Sequence, residues 1–138
     1  MSAFYRKLAV GIVAVLAIAV AFLLDPIAQD PAYHEFADER ALFGVPNFWN
    51  VVTNLPFLVA GALGLAGLPK LSESALRAHY LVFCVAVALV AFGSAWYHLA
   101  PSNPTLVWDR LPMTVAFMAL FSAIVADRVS WLAGRALL

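Results

Sequence analysis

Charge is the first scarcity. Only 12% of the 138 residues are Asp, Glu, Lys or Arg, against 64% that are hydrophobic. Soluble domains carry about 25% charged residues, so this balance excludes an ordinary water-soluble globule and points to a membrane protein. The eight basic and eight acidic residues cancel, and with no net basic surface a nucleic-acid partner is excluded. Cysteine is limited to Cys84, which rules out an internal disulfide. Lying in the middle of an apolar run, it reads as a small buried hydrophobe. There is no low-complexity tract and no internal repeat.

What the chain has in quantity is apolar sequence, in four runs at approximately 8–24, 48–68, 79–99 and 110–127. Each is close to the roughly 20 residues that a helix needs to cross hydrocarbon. Open strands are excluded at that depth by their unpaired backbone groups, and the runs lack the alternation of a barrel strand. The expectation is an all-α fold, a polytopic membrane helix bundle of about four transmembrane helices, with residues 1–138 forming one transmembrane domain. The first run has the basic start of a secretory signal, but "DPIAQDPAYHEF" follows it in place of a small-residue cleavage site. It is therefore read as a retained helix.

Arg6 and Lys7 precede the first run, Lys70 and Arg77 lie between the second and third, and Arg128 and Arg135 follow the fourth. By the positive-inside rule the N-terminus is cytoplasmic, and the acidic 25–47 loop, with Asp25, Asp30, Glu35, Asp38 and Glu39, is outside. The second run carries Ala60 and Gly64 four residues apart, a spacing that lets a neighbouring helix approach, and Gly93 has the same potential in the third.

Polar residues concentrate in "GSAWYHLAPSNPTLVWDRLPM", residues 93–113. Ser94 and His98, four apart, share one helix face. Asp109 follows after a short connection that contains Pro101 and Pro104, so the two helices are antiparallel neighbours and the carboxylate comes to the same layer. Ionisable groups near hydrocarbon mark either function or a paired structural network. A hydroxyl, an imidazole and a carboxylate in one pocket suit metal-assisted hydrolysis, with the imidazole on zinc, the carboxylate taking a proton from water and the hydroxyl steadying an oxyanion. The plainer readings stay open. Asp109 stands where an N-cap would, with Pro112 in the first turn, and Ser94 and His98 could each serve packing alone. A proton relay or small transporter using Asp109 and His98, or a non-catalytic scaffold or receptor built on the same pocket, is the alternative function. A Ser-His-Asp hydrolase fits poorly, because no nucleophile elbow is present.

The stretch resembles the core motif of the alkaline ceramidase family of intramembrane zinc hydrolases. Gly93, Ser94, His98, Asp109, Leu111, Pro112 and Met113 match its Gly-Ser, its His four residues after the Ser, its Asp eleven further on and its Leu-Pro-Met. "NFWNVVTN", residues 47–54, is similar to the Glu-Phe-Trp-Asn with which the family's first core helix begins. The resemblance covers roughly residues 33–127.

The resemblance implies that His98 is a zinc ligand, Asp109 activates water and Ser94 stabilises the oxyanion. The implied substrate is a ceramide-like membrane lipid, split at its amide bond into a sphingoid base and a fatty acid. The family's calcium near its acidic N-terminal motif would fall to Asp38 and Asn47, although Asn47 stands where the family has Glu.

The family's remaining zinc ligands, a His-x-x-x-His pair on its last helix, have no match here, so the chain reads as the front part of the fold. A partner chain or a homo-oligomer would then complete the site. His79 cannot substitute, because nineteen helical residues separate it from His98 by about 28 Å. His34 reads as a solvated loop histidine. Asn50 and Asn54 either bond neighbouring helices or line the pocket.

Overall fold

The computed structural model describes residues 3–24, 27–71 and 74–138, so Asp25 of the expected outer loop lies outside the described residues. The apolar runs fold as helices throughout. α1 spans Ala3–Leu23, α2 Phe48–Val52, α3 Leu55–Gly67, α4 Arg77–Leu99, α5 Asn103–Arg128 and α6 Trp131–Leu137. Four stretches are long and apolar enough to cross a membrane, namely Phe4–Leu23, Phe48–Leu71, Arg77–Leu99 and Asn103–Arg128. The expected all-α membrane bundle is what forms.

Three boundaries differ from the sequence reading, each for a local reason. The second span is broken at Thr53 and Asn54 because Pro56, in the first turn of α3, has no N–H for the carbonyl four residues back. Side chains at the break bond back to carbonyls of the preceding turn. Thr53 Oγ1 donates to the Trp49 carbonyl at 2.7 Å and Asn54 Nδ2 to the Asn50 carbonyl at 2.8 Å. The fourth helix begins at Asn103 rather than near residue 110, since Ser102 caps it by accepting from the Thr105 amide and Pro104 suits its first turn. Asp109 is thus not an N-cap, and Pro112 lies in the interior of α5 instead of its first turn. Finally, Ser130 starts an additional short helix, α6, which folds back on α5.

The core is the antiparallel pair α4 and α5, with α3 on the other flank of α4. Close approach is built from glycine. A side chain at Gly61 would collide with Ala88 and the Cys84 carbonyl, and one at Gly64 with the Cys84 sulfur. The small-residue face of α3 is therefore Gly61 with Gly64, and Ala60, expected there, is exposed. Cys84 is buried in that seam, as a small hydrophobe should be.

The tightest point joins α4 to α5. Pro112 cannot donate to the Trp108 carbonyl, and that carbonyl faces Gly93, where any Cβ would strike it. Lipid offers the freed oxygen no partner, so the neighbouring helix has to cover it.

These contacts define two ends. At one, residues 27–47 lie over the 100–102 connection, held by Gln29 N–H donating to Asn103 Oδ1 at 3.0 Å and Asn103 Nδ2 donating back at 3.4 Å. At the other, Trp131 of α6 packs 5.7 Å from His79, which is 1% exposed. α1 lies beside α5, the two lining an apolar groove of about 590 Å³ with Leu137 of α6.

Gly93→Ala should destabilise the chain by about 1–3 kcal/mol, because the added methyl forces α4 from the Trp108 carbonyl. Gly11→Ala, which meets nothing within 4 Å, should be neutral or slightly stabilising. Unfolding in mixed micelles compares them, and equal stabilities would remove the close approach as a determinant of the pair.

Candidate active site

α4 carries Ser94 and His98 one turn apart toward its loop end. Ser94 is buried, whereas His98 in the last turn is half-buried. Asp109 is half-buried in the second turn of α5, inside the segment loosened by Pro112. Since Gly93 is level with Trp108, His98 stands some six residues nearer the loop end than the carboxylate. Helix geometry closes that gap from both sides. Side chains lean toward the N-terminus of their own helix, so in an antiparallel pair His98 leans down and Asp109 leans up.

The loop roofs this cluster. Asn47, in the left-handed conformation at φ 48°, donates from Nδ2 to the His98 carbonyl at 2.8 Å, which fixes the start of α2 against the end of α4. Phe36 packs on the His98 ring at 4.8 Å and edge-on to Tyr97 at 5.7 Å. Arg110 reaches Tyr33, its Nη2 donating to the hydroxyl at 3.2 Å. His34 differs from expectation. It is no solvated loop residue, for its Nδ1 is 3.0 Å from the Tyr97 hydroxyl and its Nε2 is shielded from solvent. Sequence reasoning missed Tyr97 and Phe36 altogether. Their aromatic character among other aromatics carried no signal, and only the folded loop brings them to His98.

Hydrogen-bond accounting singles out two atoms here. His98 Nδ1 and His34 Nε2 are both buried without a partner, although buried polar atoms are nearly always paired. An imidazole nitrogen buried without a partner is donor chemistry of the kind that fits zinc. Among the described residues, however, no three His, Cys, Asp or Glu side chains gather as ligands for one ion.

Calcium fits less well at the residues expected to hold it. Both Asp38 oxygens are taken by Arg40, Oδ1 from Nε at 2.8 Å and Oδ2 from Nη2 at 2.7 Å. Asn47 is committed to His98. Asn50 donates to the Asp38 carbonyl at 2.8 Å, tying the loop to α2 rather than lining a pocket. His79 is at the far end of α4, buried against Trp131.

The fold and this polar end define an all-helical membrane protein with an ionisable cluster roofed by its own loop. The sequence model of the Ceramidase family matches residues 43–137, which takes in α2 to α6 and every residue of the cluster on α4 and α5. The chain belongs to the ceramidase family. No curated protein and no solved structure matches it.

Hydrogen bonds from Arg40 hold the Asp38 carboxyl down at about 2. Because the folded value is depressed, its contribution is complete above the unfolded value of ~3.9 and is lost as pH falls from there through about 2. Carboxyl NMR should show an Asp38 midpoint near 2 that returns to ~3.9 in Arg40→Ala. An unchanged midpoint would mean that the pair does not form.

Proposed function

We propose that the loop-end cluster is the catalytic centre of a ceramidase-like hydrolase that cleaves the amide bond of a ceramide-like lipid. Support comes from family membership together with one observation: Nδ1 of His98 lies buried without a partner, on the helix that pairs with the one carrying Asp109. His98 would hold zinc, which when bound acidifies water and polarises a carbonyl. Asp109 takes a proton from the attacking water as its oxygen adds to the amide carbon. The Ser94 hydroxyl donates to the oxyanion that develops. As the C–N bond breaks, Asp109 returns the proton to the leaving nitrogen, giving the fatty acid and the amine of the sphingoid base.

One imidazole and one carboxylate fall short of the three protein ligands of a catalytic zinc site. In this reading further imidazoles complete it, as the family's His-x-x-x-His pair would, from another segment or a partner chain. Supplying the family's C-terminal helices, in cis or as a separate chain, should raise zinc retention and ceramide hydrolysis together. His98→Ala or Asp109→Ala should then lower hydrolysis about 10²–10⁴-fold. Metal analysis and product release measure both. Stoichiometric zinc and robust turnover from residues 1–138 alone would show that the ligands have been miscounted, and charge movement without zinc would favour a transporter.

Orientation belongs to the same reading. The end that carries Lys70, Arg77, Arg128 and Arg135 is cytoplasmic, and the loop end is outside. In a Cys84→Ser background, Asp38→Cys and Ser102→Cys should both react with an impermeant thiol reagent added from outside. Labelling of both from the cytoplasm alone would invert the assignment.

A further inference from the structure

His34 poses a problem that the hydrolytic reading does not use. Its loop is fastened on both sides, through Gln29 to Asn103 before it and through Asn47 to His98 after it. Its ring meets Tyr97 edge-on at 5.8 Å, and Nδ1 shares a 3.0 Å hydrogen bond with the Tyr97 hydroxyl. Tyr97 is 3% exposed and lies 5.2 Å from the His98 ring. One side of the His34 imidazole is therefore fixed by a buried partner, while the other side, Nε2, is equally shielded and has none. Burying a hydrogen-bonding atom unpaired forfeits its bond to water with nothing in return. The fold holds the ring in place through Tyr97 and Tyr33, where an outward-facing loop residue would have avoided the cost.

Resting on the hydrolase reading, we propose that His34 is a further substrate-binding residue of this site. The ligand it takes is the polar end of a lipid amide. Tyr97 donates to Nδ1 and so selects the tautomer with the proton on Nε2, which donates to the amide carbonyl of the lipid. The placement suits such a ligand, since this end of the bundle is where the apolar helices give way to the polar loop and where a lipid's amide and hydroxyl groups lie. His34 then belongs to binding and orientation, distinct from His98 and Asp109, which act on the reacting atoms. Arg110, which stacks on Tyr33 at 5.5 Å, fastens the same turn of loop beside it.

The test is binding of a fluorescent short-chain ceramide to the full chain in detergent, with an ether-linked analogue that lacks the carbonyl as the second ligand. His34→Ala should weaken ceramide binding about tenfold, since the carbonyl then loses its donor. His34→Gln, whose amide nitrogen reaches about as far as Nε2, should restore most of it. The His34→Ala penalty should vanish for the analogue, because the two changes remove the same contact. Circular dichroism and melting confirm that each variant is folded.

If the wild type binds ceramide and His34→Ala binds it equally, or loses both ligands alike, His34 is structural only and the hydrolase reading survives. If the wild type binds neither lipid, both readings fall. If His34→Ala fails to fold, His34→Phe, which keeps a ring in the same space but has no donor, takes its place, and an undiminished preference for the carbonyl ligand in that variant would overturn the proposal.

Discussion

The contact on which the rest depends is between the Trp108 carbonyl and Gly93. Pro112 removes the amide that would have bonded this carbonyl, and Gly93 is the residue that lets α4 come close enough to cover it. The contact fixes the axial register of the two longest helices. With that register set, the opposite lean of side chains on antiparallel helices brings His98 and Asp109 toward each other with Ser94 beneath them. Proline is commonly a liability inside a helix. Here it creates a single strong preference for one neighbour at one height.

The loop is the second determinant of the site. It has little regular structure, yet side chains pin it to the helices at several points, some by bonds between a side chain and a backbone group and some, such as His34 with Tyr97, between two side chains. Such bonds are cheap to form at a membrane surface and hard to replace with water once shielded. Their effect is to place Phe36 and His34 against His98 and Tyr97, so that the cluster is closed from above by chain elements far away in sequence. Asp38 contributes by a different route. Its pairing with Arg40 is exposed and local, so it shapes the loop without joining the cluster.

How much of this was legible in advance varied with the kind of signal. Hydropathy marked all four spans, because the need to bury backbone hydrogen bonds in lipid leaves helices as the only form for such runs. Caps and prolines were harder. Asp109 looked like the start of a helix, since apolar sequence begins there, but Ser102 with Pro104 is the stronger initiator and the helix starts seven residues earlier. The 93–113 motif drew attention to Ser94, His98 and Asp109 through their spacing and through its resemblance to the family's core motif. His34 went unrecognised because a contact across sixty-three residues leaves no periodic trace.

By itself, then, the sequence determined that this is an all-helical membrane protein with its polar chemistry at one end, because apolar length and i, i+4 spacing are local properties that any fold must honour. Tertiary structure alone decided which glycine faces α4, since Gly61 and Ala60 differ only by a rotation about the helix axis. It also decided that Asp38 pairs with Arg40, and that an imidazole from the loop sits beside Tyr97. Those outcomes turn on which surfaces meet, and meeting is fixed by packing and by the freed carbonyl of Trp108.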